Sequence, residues 1–301
     1  MKSSQWKGNL LLILTALIWG SAFVAQSVGT QYIGPFTFNA ARSVLGGLVL
    51  LPAIALLDKA GVTRKPQTPA QRRTLLAGGV CCGAALAVAS AFQQIGIKYT
   101  TVGKAGFITA LYIVIVPLLG IFVGKRVGPL VWLGVALALA GMYLLCINGS
   151  FAVGTGDLLV LACAFCFSIH ILVISHFSPL ADGVRLSCIQ FFTAAVLSAV
   201  PMLLFERPSL SSLLAAWLPV AYAGVMSSGV AYTLQVVAQR DTDPTVASLL
   251  MSLESVFALL AGWVLLGQRL SSRELWGCAL VFVAIVLAQL PAKPARARPT
   301  P

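Results

Sequence analysis

The sequence predicts an all-α membrane protein of ten transmembrane helices in two inverted five-helix repeats. Three observations carry this. The 301 residues are 59% hydrophobic and 9% charged, with a mean hydropathy of +0.95, whereas a soluble domain is about a quarter charged. Apolar runs of bilayer-crossing length recur along the chain. Segments of the first half return, in the same order, in the second. So little polar surface excludes an ordinary soluble enzyme, a nucleic-acid-binding domain and a disordered chain.

Ten apolar segments qualify as spans, at about 10–28, 36–57, 74–97, 102–123, 129–147, 157–175, 184–205, 214–238, 244–266 and 274–290. Each is near the roughly 20 residues that a crossing helix needs. The loops between them are expected to be short, with no soluble domain appended. The first span begins with Lys2 and Lys7, but its apolar run exceeds the about 7–15 residues of a removable signal peptide. Alternating the spans from a cytoplasmic N-terminus puts 14 of the 20 Lys and Arg on the cytoplasmic side and 5 on the other, with Arg42 inside a span. The excess predicts a multi-pass protein of the cell (inner or plasma) membrane with both termini cytoplasmic. The net charge of +12 is thus an orientation signal. The basic, proline-rich tail at 291–301 cannot continue a helix and is expected near anionic lipid.

The repeat rests on four matches. GNLLLILTALIWGSAF at 8–23 aligns with GDLLVLACAFCFSIHI at 156–171, an offset of 148. ASAFQQIGIKYT at 89–100 parallels AYTLQVVAQRDT at 231–242, an offset of 142. The segments from Leu133 and Trp276, and the G-[KQ]-R shapes at 124–126 and 267–269, share an offset of 143. The expected units are 7–147 and 156–290. Five spans is an odd number, so the halves would face opposite ways, a recurring device of transporters that rock about a midplane site. An old duplication with a purely structural role is the alternative.

Polar residues inside the spans mark the candidate site, because charge in hydrocarbon is costly. The first span carries a stripe of Thr15, Trp19, Phe23 and Gln26. In the second, Arg42 could meet a substrate carboxylate or Glu254, or else snorkel or anchor a helix; its counterpart at offset 148 is Gln190. The third span offers Ser90, Gln93 and Gln94, and the fourth Thr109 and Tyr112. Pro117 is expected to interrupt the fourth span. On the sixth, His170 shares a face with Cys163 and Phe167, as a proton relay or as a satisfied interhelical hydrogen-bonding group. The eighth carries Ser228, Tyr232, Gln235 and Gln239, and the ninth Thr245, Ser248, Ser252 and Ser255. Serines on such faces often only permit close packing. Trp19, Gln93, Tyr112, Tyr232 and Gln235 together point to a cavity for an amphipathic solute. Glu254, near mid-depth, disfavours its charged form there unless paired. It could carry a coupled proton or hold a helix break.

No catalytic set assembles: the nucleotide-binding G-x-x-x-x-G-K-[ST] and the metalloprotease H-E-x-x-H are missing. Cys163 and Cys166 form C-x-x-C without another ligand nearby, so no metal or cofactor is expected. Neither Gly20–Ser21 nor Ser168 with His170 makes a protease; helical G-S pairs commonly serve packing.

At this point the residues resemble a known family. FQQIGIKYTTVGKAGFITALYIVIVPLLG at 92–120 and AYTLQVVAQRDTDPTVASLLMSLESVFALLAGWVLLGQRLS at 231–271 resemble the two repeats of EamA-type transporters, in the drug/metabolite transporter superfamily. ALIWGSAFV at 16–24 is similar to that family's first helix. The resemblance implies ten helices and export of small organic metabolites such as amino acids. It also implies a cavity lined by the first, third, fourth, sixth, eighth and ninth spans. Arg42 matches an arginine common in the second helix, and Glu254 the glutamate of L-E-P-V-F. Ser255 replaces the proline of that pattern, which puts a helix break there in doubt. Lys125 and Gln268 replace the acidic residue of L-L-G-E. The expected partners are a small-molecule substrate and the lipid bilayer, not nucleic acid, with the protein acting as a monomer or a homodimer. An uncoupled facilitator and a non-transporting structural protein are the competing expectations.

Overall fold

The computed structural model describes residues 3–63, 65–100, 102–122, 124, 127–146, 154–266 and 271–289. Lys125, Gln268, most of the expected junction between the halves and the basic tail lie outside the described residues. Every element described is helical. In the first half these are α1 (Ser3–Gly29), α2 (Pro35–Lys59), α3 (Pro69–Ile97), α4 (Val102–Thr109), α5 (Tyr112–Phe122) and α6 (Pro129–Cys146). The second half has α7 (Thr155–Phe177), α8 (Gly183–Phe205), α9 (Leu210–Ala215) and α10 (Trp217–Ala221). A π-helical stretch (Tyr222–Tyr232) follows, then α11 (Thr233–Gln239), α12 (Pro244–Met251), α13 (Glu254–Leu266) and α14 (Ser272–Gln289).

Several starts have local causes. Pro35, Pro69 and Pro244 sit in the first turn, where a missing N–H costs nothing. Thr68 and Gln71 form a capping box on α3, and Asp182 and Asp243 accept N–H bonds at the starts of α8 and α12, satisfying donors that a helix start leaves open.

Among the described residues, eight helical segments are long and apolar enough to cross a membrane, from Gln5–Gly29 to Pro244–Ala261. Two further apolar helices, Pro129–Leu144 and Leu275–Leu287, are shorter. The polarity is inside out. Leu204, Phe205 and Phe122 stand outward, 70%, 78% and 87% exposed, while Gln26, Arg42, Gln94, His170 and Glu254 are buried. In water this distribution would be unstable; in lipid it is the expected one.

The packing repeats between halves. α6 lies on α14 and α2 on α8, each element against its own counterpart. α3 lies on α7, and the counterpart contact, the π-helical stretch and α11 on α1, is also made. At the offset of 142, both halves break their fourth span at the same place. Turns at Ala110–Leu111 and Ser252–Leu253 separate α4 from α5 and α12 from α13. The same tightened i→i−3 bonds close both. Leu111 N–H donates to Ile108 O and Ile113 N–H to Ala110 O; Leu253 N–H donates to Leu250 O and Ser255 N–H to Ser252 O. Pro117 is therefore not the interruption; it lies inside α5. The second break forms without proline, ahead of Ser255.

A second correspondence clasps the antiparallel pair α2 and α8 at both ends. Asp58, near the end of α2, accepts two bonds from Arg185 Nη2, 2.8 and 2.6 Å, at the start of α8. At the offset of 148, the counterpart of Asp58 is Glu206 and that of Thr37 is Arg185. Glu206, just past α8, accepts from Phe36 N–H at 2.9 Å, from Thr37 N–H at 2.7 Å and from the Thr37 hydroxyl at the start of α2. One latch is an ion pair and the other a helix-start cap, where the helix dipole favours a carboxylate.

Candidate substrate cavity

Four repeat-equivalent pairs line a central cavity: Trp19 with Phe167, Phe23 with Ile171, Gln93 with Gln235, and Tyr112 with Glu254. Offsets of 148 and 142 relate them, so the cavity lies where the halves meet. The twin breaks deliver the fourth pair, because Tyr112 and Glu254 are the first residues of α5 and α13. The Tyr112 hydroxyl donates to Glu254 Oε1 at 2.9 Å. α1 can approach α13 here only because residue 20 is glycine. A Cβ there would stand 2.7 Å from both Glu254 O and Ala258 N.

The π-helical stretch supplies Ser227 and Tyr232 to the lining. The stretch packs closely on α2 through glycines on both sides: a Cβ on Gly224 would meet Leu45 Cδ2 at 2.7 Å, and one on Gly46 would meet Ser228 Cβ at 2.7 Å. Wide π-helical turns recur at functional positions in helices. The Tyr232 ring packs on Trp19, with centroids 4.6 Å apart and planes at 55°, and edge-on against Phe191 at 5.7 Å.

The cavity holds about 30 Å³, roughly the space of one water. This is too small for an organic solute, so the lining must move apart to admit one. A separate vestibule of about 800 Å³ lies at one end of the bundle, lined by Asp58, Lys65, Gln71, Asp182 and Arg240 among others. It gathers loops that the span alternation puts on one side of the membrane, and Lys65 joins the Asp58 latch at 3.7 Å.

The structure brings together Trp19, Arg42, Gln93, Tyr112, Tyr232, Gln235 and Glu254 around this cavity. His170 stands outside the lining. Its Nε2–H donates to Gln190 Oε1 at 2.9 Å, and its ring meets the back of Tyr232 at 5.9 Å. Arg42 and Glu254 form no ion pair: the ion pairs of the described residues join Asp58 to Arg185 and Lys65, and Asp182 to Arg185. The Arg42 guanidinium lies 5.9 Å from the centroid of the Phe38 ring. The serines of the ninth span turn inward on their own helix: Ser248, Ser252 and Ser255 donate to Thr245 O, Leu249 O and Ser252 O. Ile171 and Ser227 escaped the sequence reading. Offset 148 from Phe23 would have found Ile171; nothing marks Ser227 among neighbouring serines.

An apolar helical bundle around a polar centre, built from two equivalent halves, is the architecture of a multi-pass membrane transporter. Comparison with known proteins specifies it. Residues 6–147 and 154–290 each match the EamA-like transporter family. An Archaeoglobus fulgidus protein named as an uncharacterized transporter is 31% identical over 94% of this chain and 85% of its own length. The uncharacterized inner membrane transporter YedA of Escherichia coli K12 is 26% identical over 92% of this chain and 90% of its own. A protein known from a crystal structure shares the fold, with a TM-score of 0.77 at 23% identity, covering 94% of this chain and 96% of the other. This chain belongs to the EamA-like transporter family, within the drug/metabolite transporter superfamily.

Proposed function

We propose that the protein is a secondary transporter that exports a small organic metabolite, an amino acid or a similar amphipathic solute, by alternating access, with Glu254 carrying a coupled proton. The chain crosses the cell membrane ten times, α6 and α14 being the short fifth helix of each half. The halves, 7–147 and 156–290, are inverted, and both termini are cytoplasmic. The observation that carries this reading is the meeting of two equivalent helix breaks at a small polar cavity. Breaks near the midplane are where transporters hold their cargo. A cavity of about 30 Å³, too small for an organic solute, favours a carrier that must rearrange over an open pore. Glu254 suits proton carriage: it is 3% exposed, and the hydroxyl that holds it can donate to the carboxylate or accept from the protonated acid.

In proteoliposomes, a proton gradient directed into the lumen should accelerate solute efflux. Glu254→Gln, which keeps the shape and loses the titratable proton, should remove the gradient dependence while leaving equilibrative exchange. A gradient without effect, together with normal transport by Glu254→Gln, overturns the coupling. Uphill movement separates a coupled carrier from a facilitator, which only equilibrates its solute.

A further inference from the structure

We propose that the cavity recognises its solute by a carboxylate that docks on Arg42, beside at least one hydrogen-bond donor on the same molecule. This rests on the cavity being the transport site. Arg42 is 3% exposed and lines the cavity. Its guanidinium lies 5.9 Å from the centroid of the Phe38 ring, and none of the ion pairs of the described residues includes it. A buried guanidinium without a carboxylate is costly to keep. The cost is recovered when a ligand brings the anion, and the planar fork of arginine fits a carboxylate through two parallel bonds.

The lining decides which anion. Arg42 is the one basic residue of the described lining and shares it with the acid Glu254, so a phosphate dianion would leave a net negative charge in the cavity whether or not Glu254 is protonated. A carboxylate leaves none while Glu254 holds its proton. The other unpaired groups extend the match. Trp19 Nε1, a donor, has no partner, and neither do the amide oxygens Gln26 Oε1 and Gln235 Oε1, which are acceptors. Both glutamines line the cavity and are at most 4% exposed. Two idle acceptors call for an ammonium, hydroxyl or amide donor on the solute. Phe23, Phe167 and Ile171 offer the apolar remainder a wall.

The repeat shows that this charge is an addition to the scaffold. The counterpart of Arg42 is Gln190, fully buried and engaged with His170. Glutamine is thus compatible with this position in the helical frame, which makes Arg42→Gln a fair test.

The experiment measures thermal shifts of the purified full-length protein with matched probes: L-leucine and L-phenylalanine, their carboxamides, and the amine-free acids 4-methylpentanoate and 3-phenylpropanoate. A ligand bound only to the folded state raises the melting temperature. At least one amino acid should raise it and its carboxamide should not. Arg42→Gln should weaken that binding by on the order of thirty-fold or more, and Arg42→Lys, a point charge without the fork, by less. The ligand-free melting temperature of each variant shows that it folds. Two results overturn the docking: an equal response to acid and carboxamide, or no response to any acid. A shift from the amine-free acids equal to that from the amino acids overturns the donor requirement. Flux of the same probes in proteoliposomes separates this inference from the transport reading. Binding without movement removes transport and keeps the Arg42 site; movement of carboxamides by Arg42→Gln does the reverse.

Discussion

At the scale of single residues, the centre of the protein combines unpartnered polar groups with a few held in pairs, such as Tyr112 with Glu254 and His170 with Gln190. Removing one partner strands the other. Tyr112→Phe deletes the bond to Glu254 Oε1 and leaves a buried carboxyl without its donor. It should destabilise the protein by about 1–3 kcal/mol, read from denaturant unfolding in detergent. It should also alter the pH dependence of transport, which a loss of packing alone would not. Gln190→Leu strands His170 in the same way and should cost a similar amount, about 1–3 kcal/mol. Because His170 lies outside the cavity lining, solute affinity should hold once the loss of folded protein is corrected for. If solute affinity falls with it, His170 belongs to the binding machinery.

At the scale of elements, the informative features are the places where helices stop being regular. The apolar runs were legible because the bilayer imposes length and composition on a span; eight of crossing length and two shorter helices stand among the described residues. The breaks were less legible. Proline drew attention to 117, yet the first turn falls at Ala110–Leu111, where no residue announces it. The second, at Ser252–Leu253, was marked only by Glu254, with holding a helix break as one of its two open roles. Tertiary contact favours both turns: α1 presses glycine against the backbone at the second break, and Tyr112 meets Glu254 across both. The pairing itself was readable in principle, since an offset of 142 carries Tyr112 onto Glu254. Gly20→Val should force α1 off α13, costing about 1–3 kcal/mol through overpacking, and should impair transport more than a lipid-facing change such as Leu17→Val. The latches on α2 and α8 passed unseen because acidic residues at helix ends usually mean only solvated loops. Their disruption should be reciprocal. In a cysteine-free background carrying Gln235→Cys, Asp58→Asn should raise labelling from the vestibule side. Glu206→Gln should raise it from the other side. Equal labelling from both sides in both variants would mean that the latches hold the fold rather than the gates.

At the scale of the whole molecule, the inside-out polarity and the two-fold repetition were the most legible features. Sidedness has a direct check. A green fluorescent protein fused after Pro301 should fluoresce in bacterial cells, and alkaline phosphatase inserted after Arg207 should be active, since each reporter works on one side of the membrane. The reverse outcome would turn the molecule over and exchange the roles of the two latches. Finally, the two clasps on α2 and α8 are alike in place but unlike in chemistry, an ion pair at one end and a capped helix start at the other. In the proposed alternating-access carrier, two identical clasps on inverted halves would hold the two open forms equally and give the empty carrier no bias between them. Unequal clasps remove that degeneracy. Both clasps are partly buried, but salt competes more with a side-chain ion pair at the rim of the vestibule than with a carboxylate held by backbone N–H groups. In the proposed carrier, raised ionic strength should therefore shift the side on which the empty form waits. Each 1.4 kcal/mol of imbalance shifts that waiting population by about tenfold.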